Sequence, residues 1–89
     1  MRMHMLIKGK VQGVGYRFFT VQAANKMGLK GWVQNLPDGD VEAEVQGTEE
    51  LISSFVNHLK KGHAWARVDS MQTEPLPEKS GESDFEIRG

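Results

Sequence analysis

Six consecutive residues, Gln12-Gly13-Val14-Gly15-Tyr16-Arg17, hold the densest chemistry in the chain. Two glycines let the backbone turn left-handed or tightly, so that successive N–H groups converge on one point. A helix starting here adds its own unpaired N–H groups and the positive end of its dipole. Such a concavity suits a phosphate or sulfate. Glycines also occur in strand-to-helix turns for steric reasons alone. The run is neither a Walker motif nor a Gly-x-Gly-x-x-Gly dinucleotide fingerprint. Arg17 sharpens the reading. A cation in the first helical turn opposes the dipole at a cost of a few tenths of a kcal/mol, and a local rule broken without local gain marks a site. Its planar fork can hold a phosphate at two points while the loop amides take the remaining oxygens. Asn35 is the second candidate, because its amide offers an acceptor and two donors without titrating, which suits aligning a water molecule. An Asn beside a turn also serves backbone hydrogen bonding, and Arg17 also reads as an ordinary exposed side chain.

The elements that must carry these residues follow from periodicity. Met3, Met5, Ile7, Gly9 and Val11 alternate with Arg2, His4, Leu6, Lys8 and Lys10, the period of a half-buried first strand. From Arg17 the spacing turns helical, with Phe18, Phe19, Val21, Ala23, Ala24 and Met27 on one broad side. Trp32, Val33 and Leu36 read as a second strand that ends at the turn Pro37-Asp38-Gly39. Val41, Ala43 and Val45 alternate with acidic and polar residues in a third strand, paired with the second as a hairpin. Thr48 caps a second helix, with Glu49 and Glu50 in its first turn and Leu51, Ile52, Phe55, Val56 and Leu59 on its inner face. A fourth strand runs through Ala66 and Val68, residues 74–84 read as a loop holding Pro75 and Pro77, and Phe85 and Ile87 form a short closing strand.

The order is βαββαβ plus a small last strand. Two helices with one apolar face each are satisfied by covering one face of an antiparallel sheet, and right-handed crossovers make that an α+β, ferredoxin-like sandwich over 1–89. The first and second strands are then parallel, so the loop after one and the end of the other face the same way. Arg17 and Asn35 can share a cleft. The fold itself decides no function.

Composition narrows the classes. The chain has 89 residues, one small domain, and no cysteine, which excludes disulfides, thiolate metal sites and cysteine catalysis. It carries no run long and apolar enough for a membrane span and no signal-peptide pattern, so a cytoplasmic protein without a membrane partner is expected. The net charge of −1 argues against general nucleic-acid binding. The charge is uneven: residues 1–30 hold six basic and no acidic groups, whereas residues 31–89 hold all 12 acidic ones. A basic third framing a cleft would favour a small anion; the alternative is mutual neutralisation across the fold. His4, His58 and His63 lack metal-ligand spacing, and Trp65 reads as packing.

Gly9-Lys10-Val11-Gln12-Gly13-Val14-Gly15-Tyr16-Arg17 followed by Gly31-Trp32-Val33-Gln34-Asn35-Leu36-Pro37-Asp38-Gly39 resembles the acylphosphatases. The likeness continues weakly through Val45-Gln46-Gly47, Ala66-Arg67-Val68 and Phe85-Glu86-Ile87. It implies hydrolysis of the carboxyl–phosphate bond of a small acyl phosphate, without metal or cofactor, by a protein expected to be a monomer. It also implies that Arg17 and the amides of Gln12, Gly13, Val14, Gly15 and Tyr16 bind the phosphoryl group, a place inorganic phosphate or sulfate can also take, and that Asn35 orients the attacking water. Two positions depart from the family pattern. Gly62-His63-Ala64-Trp65 stands where many relatives have Gly-Pro-Pro, and Gln34 stands where Arg is frequent, which makes the rim less basic.

The leaving carboxylate has a conjugate-acid pKa of about 4 to 5, so it needs no general acid at neutral pH. A binding module that keeps the anion pocket without turnover is the alternative from another class. RNA binding would want exposed aromatics on the central strands, where the third strand instead presents Asp40, Glu42 and Glu44.

Overall fold

A computed structural model describes residues 1–88. Strand β1 covers Arg2–Lys10, helix α1 Tyr16–Lys26, strands β2 and β3 Lys30–Asn35 and Val41–Gln46, helix α2 Glu49–Lys61, and strands β4 and β5 Arg67–Leu76 and Phe85–Ile87. The sheet order is β4-β1-β3-β2-β5. β3 runs antiparallel to both β1 and β2, so these two are parallel to each other, as the split arrangement requires. Both helices lie on one face. Met5, Ile7, Val33, Val41, Ala43 and Val45 point beneath them and are fully buried, together with Phe55 of α2.

Helix α2 starts as its residues dictate, with the Leu51 amide donating to Thr48 Oγ1 at 3.2 Å. Ile52, Phe55 and Leu59 form its buried stripe, while Leu51, expected inside, is exposed because the stripe is narrower than the run of apolar residues. α1 shows the same correction: Ala23 and Ala24 are buried and Phe19, Val21 and Met27 pack against the core, but Phe18 is 61% exposed. Thr20 takes a buried place instead, its hydroxyl donating to the Tyr16 carbonyl at 2.8 Å.

Three further expectations change. β4 continues to Leu76 through residues expected to be loop. It is an edge strand, where half of the N–H groups face solvent, so Pro75 opposite Met3 is tolerated. The sheet is mixed rather than wholly antiparallel, because β5 adds to β2 in parallel. Asn25 at the end of α1 pins that strand: its Oδ1 accepts from the Phe85 amide at 3.0 Å and its Nδ2 donates to the Phe85 carbonyl at 3.2 Å. Trp65 does not pack. It is 78% exposed in the loop after α2, where His63 Nδ1 accepts from the amides of Trp65 and Ala66 at 3.2 and 3.1 Å. An imidazole thus shapes the segment where the related pattern has prolines.

The uncovered face of the sheet pairs part of the uneven charge. Arg2 is 2% exposed, and its guanidinium donates to Glu44 at 2.9 Å, Gln46 at 3.1 Å and Glu82 at 2.6 Å. His4 meets Glu42 at 2.7 Å and Lys8 meets Asp40 at 2.6 Å. Arg2 and Lys8 of β1 are therefore paired with Glu44, Glu82 and Asp40 rather than gathered around a cleft. Hydrogen bonding to Arg2 and to His4 holds the Glu82 and Glu42 carboxyls below the ordinary carboxylate range.

Candidate active site

The turn from β1 into α1 takes the form its glycines permit. Gly13 and Gly15 lie at φ +76° and +75°, in the left-handed region where a side chain is strained. Gly15 is the N-cap residue, no side chain caps the helix, and no acidic residue occupies its first turn. The first amide bonded back along α1 is that of Phe19, to the Gly15 carbonyl at 3.0 Å. The residues Tyr16, Arg17 and Phe18 make up the first turn ahead of it.

A cleft of about 190 Å³ opens at this point, several times the room one water requires. Gln12, Gly13, Gly15, Tyr16 and Arg17 line it from the loop, and Asn35 lines it from the end of β2. Phe18 and Ile87 stand beside them. The parallel course of β1 and β2 therefore brings Arg17 and Asn35 into one cavity. Of the six loop residues proposed from sequence, Val14 does not line it; its side chain packs against the core. The Tyr16 ring is buried and its hydroxyl donates to the Leu59 carbonyl at 2.8 Å. Burial pushes that phenol above its ordinary pKa, so it stays protonated.

Asn35 carries the sharpest feature of the site. Its Oδ1 is buried and accepts no hydrogen bond from any described residue. Leaving such an acceptor unsatisfied costs about 1–3 kcal/mol, so it is either relieved by a ligand or water or retained as strain at a functional site.

Gln12 plays a part that its sequence position did not announce. Its side-chain Nε2 donates to the carbonyls of Leu36 and Asp40, both at 2.8 Å. Those carbonyls belong to the β2–β3 turn, itself closed by the Leu36 amide on the Asp40 carbonyl at 2.8 Å. One carboxamide thus ties the loop that bears Arg17 to the turn that follows Asn35. Gln34, which stands where the related pattern has Arg, donates to Glu42 at 2.7 Å and is held on the open face of the sheet. Among the described residues no three His, Asp or Glu side chains converge as metal ligands, and no helix is long and apolar enough to cross a membrane.

Comparison with known proteins agrees with this fold. The sequence model of the acylphosphatase family matches residues 3–87. The chain is 44% identical over 87 residues to an acylphosphatase of Clostridium beijerinckii, covering 98% of this chain and 97% of that one. The crystal structure of acylphosphatase from Bacillus subtilis superposes with a TM-score of 0.93 at 34% identity, covering 99% of this chain and 98% of that one. A crystal structure of HypF from T. kodakarensis contains a similar unit, with a TM-score of 0.87 at 33% identity, covering all of this chain and 12% of that one. With a family match over nearly its whole length and a shared sandwich fold, the chain belongs to the acylphosphatase family, enzymes that hydrolyse acyl phosphates.

Proposed function

We propose that hydrolysis takes place in the cleft between the 12–17 loop and Asn35, with each group in a separate role. Arg17 binds the phosphoryl group through its fork, and the amides of the loop and of the first turn of α1 take the other oxygens. Asn35 Oδ1 accepts a hydrogen bond from a water and holds its lone pair toward phosphorus. The water oxygen bonds to phosphorus as the bond to the acyl oxygen breaks, the electron pair leaves on the carboxylate, and the protons of the water stay on the inorganic phosphate formed. Little covalent work falls to the protein in such a transfer; positioning and charge stabilisation suffice. The carboxylate leaves unaided at neutral pH, because its conjugate acid has a pKa of about 4 to 5.

The observation that carries this reading is the unsatisfied Asn35 Oδ1 in a cavity shared with Arg17. The same reading takes residues 1–89 as one catalytic domain that works as a monomer, since each group the reaction uses comes from within the chain. It also places the protein in the cytoplasm, in keeping with the absence of cysteine. The test is hydrolysis of acetyl phosphate in excess chelator, with an alkyl phosphate monoester alongside. Turnover of the acyl phosphate and poor turnover of the ester are expected. Equal rates on both would remove the leaving-group argument, and loss of turnover in chelator would require a metal that the mechanism does not use.

A further inference from the structure

Beyond the phosphoryl cradle, the cleft has an apolar lip. Phe18, one residue past Arg17 on α1, is 61% exposed, and Ile87 on β5 is 45% exposed. Both line the same cavity as Arg17 and Asn35. An exposed aromatic inside a functional cleft differs from one scattered on a surface, because a bound ligand covers it. The two come from elements far apart in the chain, and β5 is held in place by the paired hydrogen bonds of Asn25 to Phe85. Arg17 is the one charged side chain among the described residues that line the cleft. Once the phosphoryl group has engaged it, a second anionic group on the substrate meets no cation in the cleft.

We propose that Phe18 and Ile87 form the acyl-binding platform of this enzyme and set its preference for acyl phosphates with an uncharged aromatic or extended apolar acyl group. The proposal rests on the hydrolase reading of the same cleft. With the phosphoryl oxygens held by the loop, the acyl group extends toward the cavity mouth and lies against the Phe18 ring. Acetyl phosphate is too short to cover that ring, and a succinyl group brings a carboxylate to an apolar surface, where its desolvation is uncompensated.

The experiment has two arms. In the first, kcat/KM is measured for benzoyl, acetyl and succinyl phosphate with wild type, Phe18→Ala and Phe18→Tyr. Benzoyl phosphate is expected to be preferred over acetyl phosphate, with succinyl phosphate the poorest. Phe18→Ala should cut the benzoyl-to-acetyl ratio roughly fivefold, the scale of one aromatic contact, through KM for benzoyl phosphate. Phe18→Tyr, which keeps the ring, should restore most of it. The second arm is calorimetric binding of phenacylphosphonate and acetonylphosphonate, in which a methylene replaces the bridging oxygen, so that the result is independent of turnover. Tighter binding of the phenacyl compound, lost in Phe18→Ala, supports the platform; equal binding of the two by wild type overturns it. Absence of turnover together with selective phosphonate binding would sink the hydrolase reading and leave the platform standing.

Discussion

Gln12→Ala separates two halves of the site without touching any group proposed to meet the substrate. The substitution removes two hydrogen bonds of 2.8 Å to the Leu36 and Asp40 carbonyls. Each carbonyl keeps another partner, since the Leu36 amide donates to Asp40 and the Gly39 amide to Leu36. Neither is orphaned, so the loss is the net worth of two neutral bonds, about 2 kcal/mol of stability in all. The larger effect falls on rate. The loop then loses its tie to the β2–β3 turn, and a displacement of about 1 Å between the phosphoryl cradle and Asn35 costs on the order of 100-fold. Gln12→Glu is the stricter variant. It has nearly the same shape, yet it sets a carboxylate against two carbonyl oxygens and brings negative charge beside the anion site, so it should be worse than Ala in stability and in phosphate affinity. Urea unfolding gives the first quantity, and steady-state hydrolysis of acetyl phosphate with inorganic phosphate as competitive inhibitor gives the rest. If Gln12→Ala stays within threefold of wild type in kcat/KM, or Gln12→Glu is the milder change, the clamp does not align the site.

Other expectations follow from the same geometry. Arg17→Lys keeps the charge but loses the fork, and should lower kcat/KM about 100-fold and weaken inhibition by phosphate; inhibition equal to that of wild type would show that a point charge suffices. Gly15→Ala meets open space, so its cost is that of a left-handed backbone at φ +75°, about 1–2 kcal/mol in urea unfolding; an unchanged midpoint would mean the turn relaxes. Glu82 is held below its ordinary pKa chiefly by hydrogen bonding to Arg2, so the unfolded chain binds its proton first. The stability this contributes is present above the unfolded value of about 4.3 and is lost as pH falls through the lower folded one. The urea midpoint should therefore drop between pH 5 and pH 3 in wild type and drop less in Arg2→Met; parallel curves would refute the linkage.

Features that depend on neighbours in sequence were legible from the chain. The strict alternation of Val41, Ala43 and Val45 marked β3, Thr48 with two glutamates marked the start of α2, and the glycines before Arg17 marked a turn that does adopt positive φ. The order of elements then placed Arg17 and Asn35 at one end of the sheet by topology alone. What escaped depends on partners distant in sequence. Arg2 is buried because Glu44 and Glu82 come to it from 42 and 80 residues away. Gln12 looked like a loop residue because the carbonyls it binds lie 24 and 28 residues on. The extension of β4 through Pro75 and the parallel placement of β5 depend on which strand becomes an edge, and a polar, proline-bearing run carries no local sign of that. Phe18 was read into the core because periodicity counts apolar residues without knowing where a cavity interrupts the packing.

The central claim is that the buried oxygen of Asn35 holds the attacking water and does nothing for the fold. Asn35→Ala measures it directly, because Oδ1 has no partner among the described residues and its removal breaks no hydrogen bond at that atom. Measured together on this variant, kcat for acetyl phosphate should fall at least about 100-fold, while the inhibition constant for inorganic phosphate stays within about twofold and the urea midpoint does not decrease. A kcat within tenfold of wild type, or phosphate affinity lost in step with rate, would contradict the account.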